Sequence, residues 1–371
     1  MRWILCAALV LGGWLSPARA YSSKEHILLT RIAAERLIAD ASTPLAMKAW
    51  LTEIIGGAQG SERQREYLLF KRVGPFARGA DGLMFWSVMP DLEPLQRRDE
   101  RSFPPFPVPE AKLHYLDVEL FNPDPAKRRY ADDLSHKPAL GDFPHDMDDG
   151  RYQAAGMLPF AVEYYYRRVV SSLGEGRLSD RPGQFPRDDH AARWAGILSH
   201  YLEDNMQPQH GTVDYKSRSY FPDSAHAPDV HADMEFRLVD DEEHDYPELR
   251  KELWDLLVKT LAEMKDPVDT KDLWRATVET TLTSYDALPM IGRAAREAHP
   301  QASAQGPGKW DAEKFCHCRG QYQGREMTVL QMRAWQYAWA VKRVERVLRQ
   351  AWDEGGANQA ASTRPVGAER R

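Results

Sequence analysis

Residues 199–210 read SHYLEDNMQPQH, with His200 and Asp204 four positions apart, then Pro208 and His210. On a helix, positions i and i+4 share a face, so His200 and Asp204 point the same way. Trp194, Ile197, Leu198 and Leu202 surround them with apolar contacts. Pro208 stops the helix before His210, because proline lacks an N–H and its ring clashes with the preceding turn. An ionised aspartate on or beside a buried face is costly unless it is paired or bound to metal. A single His–Asp hydrogen bond would satisfy this helix. A metal site of several ions would need ligands from elsewhere in the chain.

Other segments repeat the pattern. HADMEFRLV places His231 and Glu235 at the same i, i+4 spacing. Two helices that each present a His–carboxylate pair, with His210 between them, can build a metal cluster. Such pairs also occur on solvated helix faces. In YSSKEHILLTRIAAERLI, Ser22 and Glu25 fit a capping box that starts a helix at Ser23. That places Tyr21 just before the cap and His26 at the fourth helical position, the two sites a hydrophobic staple brings together. A free α-amine on Tyr21, its carbonyl and His26 could then chelate a metal. Asp91 in FWSVMPDLEP and His114 in KLHYLDVE sit among apolar neighbours, either as satisfied polar residues or as further ligands.

Helical periodicity dominates the chain, over residues 23–40, 156–173, 189–205, 229–240, 247–264, 271–298 and 325–353. Alternating strand patterns are scarce. Long Pro- and Gly-rich stretches at 101–110, 121–150 and 211–230 interrupt the helices and read as loops. The expected fold is a single all-α domain over 21–354 with long irregular loops, followed by a disordered tail at 355–371. At 43% apolar content, the 371-residue chain can bury a sizeable core.

The start, MRWILCAALVLGGWLSPARA, has a basic residue, a short apolar run and a small-x-small end. It reads as a signal peptide, residues 1–20, cleaved after Ala20, which predicts a secreted or periplasmic protein. Cleavage removes Arg2 and Arg19, leaving 47 Lys+Arg against 55 Asp+Glu and a formal charge of −8. An acidic chain has no general attraction to nucleic acid or anionic lipid, so a phosphate substrate would need a local cationic site. Bound metal is one way to provide it. Cys316 and Cys318 in FCHC could form a strained local disulfide, bind metal with His317, or be a local loop feature.

In chain order the set is Tyr21, His26, Asp91, His114, His200, Asp204, His210, His231 and Glu235. Its order and spacing resemble the zinc-dependent phospholipase C and single-strand-specific (P-one type) nuclease superfamily, over roughly residues 21–300. HYLEDNMQPQH looks like that superfamily's H-x3-D-x3-P-x-H element. The resemblance implies three Zn2+ per chain. One would take Asp91, His114, His200 and Asp204; the second His210, His231 and Glu235; the third the Tyr21 amine and carbonyl, His26 and Asp204. Asp204 would bridge two metals, and Asp91 would also orient or deprotonate an attacking water as the catalytic residue.

The implied activity is hydrolysis of phosphoric esters by metal-activated water. A single-strand nuclease or 3′-nucleotidase is the leading expectation, with Tyr115 stacking a base and Asp117 hydrogen-bonding it. Phospholipase C acting on phospholipid head groups is the alternative, because Glu235 stands where the nucleases usually carry Asp. A non-catalytic, metal-stabilised binding protein is a third reading. No stable protein partner is implied. The sequence departs from the superfamily at Tyr21, where Trp is usual, and at Arg97 and Arg98, which stand further from Asp91 than the nucleases' arginine does.

Overall fold

The computed structural model describes residues 23–55, 82–91, 106–178, 190–222, 227–239, 244–265, 271–302 and 309–356. The helices, in order, are α1 (Ser23–Ala39), α2 (Leu45–Ile54), α3 (Gly82–Val88), α4 (Arg151–Ala155), α5 (Leu158–Gly174), α6 (Ala191–Asp204), α7 (Val230–Glu235), α8 (Pro247–Glu263), α9 (Leu273–Tyr285), α10 (Leu288–Ala298), α11 (Ala312–His317) and α12 (Val329–Glu354). The architecture is mostly helical, as expected. The strands described are an antiparallel pair, β1 (Arg319–Tyr322) and β2 (Arg325–Thr328). None of the described helices is long and apolar enough to cross a membrane.

α6 is the axis of the fold. The His190 ring caps it by accepting from the Arg193 N–H, and all of its residues from Ala191 to Asp204 are buried. Helices α1, α3, α5 and α12 pack around it. Small residues permit this crowding. A Cβ on Gly196 would stand 2.5 Å from Trp86 Cβ and 2.6 Å from the Leu83 carbonyl oxygen, so α3 crosses α6 there almost backbone to backbone. α12 starts at a capping box, in which Thr328 Oγ1 accepts from the Gln331 N–H and Gln331 Oε1 accepts from the Thr328 N–H.

Three expected helices are revised. The run 271–298 divides into α9 and α10, because Pro289 cannot donate and its ring would clash with the Tyr285 carbonyl four residues back. Residues 325–328 of the expected 325–353 helix form β2 instead. Gln323 (φ 50°) and Gly324 (φ 70°) turn the chain back between the strands, and a two-residue turn with both φ positive matches the twist of a hairpin. The expected 229–240 helix shortens to α7, followed by turns through Val239. Short helices α2, α3, α4 and α11 add to the periodic segments. The stretches 121–150 and 211–230 are irregular where described, apart from short 3-10 turns. Residues 1–22 and 357–371 lie outside the described residues, and so do the expected leader, Tyr21, Ser22 and most of the expected tail.

Candidate metal centre

α6, α7, α1, the 3-10 turn after α3 and the 112–117 segment converge on one cluster. α6 presents His200 and Asp204 on one face, and their donor atoms, Nε2 and Oδ2, are 3.2 Å apart. The 3-10 turn Met89–Asp91 extends α3 and brings Asp91 Oδ1 to 3.6 Å from His200 Nε2. His114 Nδ1 lies 2.9 Å from Asp204 Oδ2, 3.0 Å from His200 Nε2 and 3.7 Å from Asp91 Oδ1. His114 Nδ1, His200 Nε2 and Asp204 Oδ2 therefore form one group, with Asp91 Oδ1 beside the two histidine nitrogens. Donors about 2.0–2.2 Å from a tetrahedral zinc stand about 3.3–3.6 Å apart, close to these edges.

His114 is held by its backbone. The Leu116 N–H donates to the His210 carbonyl (2.8 Å), the Asp117 N–H to the Ala155 carbonyl (2.7 Å) and the Met157 N–H to the Lys112 carbonyl (2.7 Å). Gly156 (φ 96°) lets the chain press on this segment, since a Cβ there would stand 2.2 Å from the Tyr115 carbonyl oxygen.

A second group forms beside it. His231 and Glu235 share the inner face of α7, which Asp229 caps by accepting from the Ala232 N–H. Glu235 Oε1 lies 2.8 Å from His231 Nε2 and 3.3 Å from His210 Nε2. The buried His231 Nε2 makes no hydrogen bond, although Glu235 Oε1 is that close, and the three residues form one group able to hold a metal ion. Pro208 opens the 3-10 turn Pro208–Gly211 that carries His210. The Gln207 amide donates to Glu235 Oε1 (2.7 Å).

His26 closes the cluster from α1. Its Nε2 lies 3.6 Å from Asp204 Oδ1 and 3.8 Å from Asp91 Oδ2, and its ring stacks on His200 at 4.0 Å. Asp204 Oδ1 is buried with no hydrogen-bond partner. An unpartnered buried carboxylate oxygen is costly unless a cation meets it. Both Asp91 and Asp204 thus turn one oxygen toward His114 and His200 and the other toward His26, whereas the sequence-based expectation had Asp204 alone bridging.

The described residues thus contain three buried groups able to hold metal ions: His26–Asp91–His200, His114–His200–Asp204 and His210–His231–Glu235. Their electrostatics fit a shared charge. Burial raises the Asp91 carboxyl to about 6, against the pull of His200 and His114. Burial also works against ionisation of Asp204, yet His200 and His114 outweigh it and hold that carboxyl well below its usual range. Burial, with His200 alongside, holds His26 well below 6.5. His114 is opposite: burial is overcome by Glu110 and Asp204, which raise it.

Several partners were not singled out in the sequence. The outer nitrogens of four histidines are engaged away from the cluster. His26 Nδ1 meets Glu203 Oε2 (2.6 Å), His114 Nε2 meets Glu110 Oε1 (2.8 Å), His200 Nδ1 donates to the Ser87 carbonyl (2.7 Å) and His210 Nδ1 donates to the His114 carbonyl (3.0 Å). Glu110 had a legible signal, since it precedes His114 by four residues. Arg333 of α12 pairs with Glu25 and donates to the Glu235 carbonyl (3.3 Å), tying the His26 and Glu235 segments together. Glu25 is thereby committed to a tertiary ion pair.

Tyr115 is half-buried, and burial followed by Asp117 and Tyr215 raises its hydroxyl to about 12. Burial, then Glu119, raises the Asp117 carboxyl well above its usual range, with His210 and Lys112 near enough to oppose it. Tyr215 stands edge-on to His231 at 5.7 Å and is 38% exposed. Cys316 and Cys318 are free thiols, and His317 pairs instead with Glu252 and Glu313. FCHC is therefore a local feature, neither a disulfide nor a metal site among the described residues. Tyr21, Arg97 and Arg98 lie outside them. Comparison of the chain with protein-family models, curated proteins and solved structures returns no match.

Proposed function

We propose that this protein is a zinc-dependent phosphoesterase with up to three metals in one buried cluster. The observation that carries this reading is the convergence of Asp91 Oδ1, His114 Nδ1, His200 Nε2 and Asp204 Oδ2, with five donor–donor distances of 2.9–3.7 Å. Mixed imidazole and carboxylate donors suit zinc. His210, His231 and Glu235 would hold a second ion, and His26 with Asp91 and Asp204 a third, joined by Tyr21 if the processed terminus reaches it. Bound there, zinc would lower the pKa of a shared water toward ~7 and offset charge on a phosphate ester.

The chain's own groups take the remaining roles. Asp91 sits at the edge of the cluster with its side chain 7% exposed, while those of His26, His200 and Asp204 are fully buried. With Oδ1 toward His114 and His200, it would orient an attacking water through Oδ2 wherever that oxygen is not itself bound to metal. Tyr115, Asp117 and Tyr215 lie together beside His210 and His231. An aromatic face with an adjacent buried acid suits a nucleobase, where stacking contributes ~1–3 kcal/mol per base. That favours single-stranded nucleic acid or a 3′-nucleotide as substrate. Phospholipase C activity is the second reading, and Glu235 at the second group favours it.

The test removes metal with a chelator and assays bis(p-nitrophenyl) phosphate before and after zinc is restored. Activity that disappears and returns supports an esterase; none in the fully loaded protein leaves a metal-stabilised binding protein. Parallel assays on single-stranded DNA, RNA, 3′-AMP and phosphatidylcholine choose the substrate. Denatured DNA left intact while lecithin is cleaved reverses the ranking.

A further inference from the structure

We propose that Glu203 is a positioning residue that locks His26 in the tautomer able to bind metal through Nε2, an inference that rests on the metal-centre reading above. Glu203 is the neighbour of Asp204 on α6, so the two side chains diverge by about 100° around the helix. Asp204 faces the cluster and Glu203 faces α1. Both are fully buried. The two oxygens of Glu203 are divided between two residues of α1: Oε2 lies 2.6 Å from His26 Nδ1, and Oε1 accepts from Thr30 Oγ1 at 2.7 Å. His26 and Thr30 are themselves i and i+4, so one carboxylate grips one face of α1.

An ionised Glu203 can only accept, so its contact would put the proton on Nδ1 and leave the His26 lone pair on Nε2, the nitrogen turned to Asp204 Oδ1 and Asp91 Oδ2. Carboxylates in this outer position orient a metal-binding imidazole and raise its donor strength, and their loss costs 10–100-fold in metal affinity. Glu110 provides an internal comparison. It holds the opposite nitrogen of His114, Nε2, and leaves Nδ1 facing the cluster. Ionised, the two carboxylates would favour opposite tautomers on the two histidines, each in a different candidate metal group.

The test compares wild type, Glu203→Gln, Glu203→Ala and Glu110→Gln. Zinc content is measured by mass spectrometry, stepwise affinity by chelator competition, and imidazole tautomers by nitrogen NMR of the histidine-labelled, metal-free protein, with His26→Asn assigning the signal. The expected result for Glu203→Ala is one zinc weakened 10–100-fold and a mixed His26 tautomer. Glu203→Gln should show a smaller loss, because the amide oxygen can still accept from Nδ1. Glu110→Gln should leave the His26 signal unchanged. A single Nδ1–H tautomer of His26 retained in both Glu203 variants, with unchanged zinc affinities, overturns the proposal while the metal reading stands. Wild type that binds no zinc sinks the metal reading and, with it, the metal role of Glu203. Should Glu203→Ala fail to fold by circular dichroism, Glu203→Leu, which fills the space and removes the acceptor for Nδ1, carries the same comparison.

Discussion

Asp204→Asn is the most informative single change. One oxygen of Asp204, Oδ2, stands 2.9 Å from His114 Nδ1 and 3.2 Å from His200 Nε2; the other, Oδ1, stands 3.6 Å from His26 Nε2. Asparagine keeps the size but offers one donor oxygen and no charge, so two metals cannot both be served. A four-ligand zinc site contributes ~10–16 kcal/mol of binding free energy, of which one ligand is roughly a quarter, ~2.5–4 kcal/mol. At about 1.4 kcal/mol per tenfold, one metal loses roughly 10²–10³-fold in affinity. The expected result is a lower zinc content and, at limiting zinc, roughly 10²–10³-fold less phosphodiesterase activity, read by mass spectrometry and bis(p-nitrophenyl) phosphate turnover. His145→Ala is the control, since His145 is exposed, pairs with Glu163 at 3.0 Å and stacks on Trp274. An exposed pair of this kind contributes about 0–1 kcal/mol. Full zinc content and activity in Asp204→Asn, or equal losses in His145→Ala, would refute the bridging role.

Apparent zinc affinity should rise with pH through about 6, because Asp91, raised to about 6 by burial, must lose its proton to bind metal. Below that pH the proton competes and zinc is released; a flat affinity between pH 5 and 7, measured by competition, contradicts this. The same shift has a signed effect on the metal-free fold. A carboxyl whose pKa is raised by folding contributes stability that is full below about 3.8 and is lost as pH rises through about 6. Gly196→Ala should destabilise the fold by about 1–3 kcal/mol in urea unfolding, since its Cβ would press on Trp86 and Leu83. The same change should loosen the Ser87 carbonyl from His200 Nδ1. An extra residue left ahead of Tyr21 should reduce the zinc count by one, and an unchanged count with a blocked terminus would remove Tyr21 from the ligand set.

Pairings inside a helix were legible from spacing. His200–Asp204 and His231–Glu235 depend only on 3.6 residues per turn, and both appear in the fold with their donors together. Local stops were legible where proline or glycine forces the backbone, although the apolar periodicity ran straight through Pro289 and took in residues 325–328, which the turn at Gln323–Gly324 places in a hairpin. The order of the ligands along the chain suggested one cluster, but spacing carries no information on which side of a helix meets which neighbour. That depended on packing. The close crossing of α3 over α6 at Gly196 brings Asp91 and the Ser87 carbonyl to His200, and the backbone hydrogen bonds around Gly156 and His210 seat His114. The roles of Glu203, Glu110 and Arg333 arise from contacts with no regular spacing in the chain, apart from the Glu110–His114 turn. Helical periodicity thus determines which donors travel together. The buried surfaces around α6 decide which donors meet, because only close packing can hold so many polar groups away from water with their lone pairs aimed at one place.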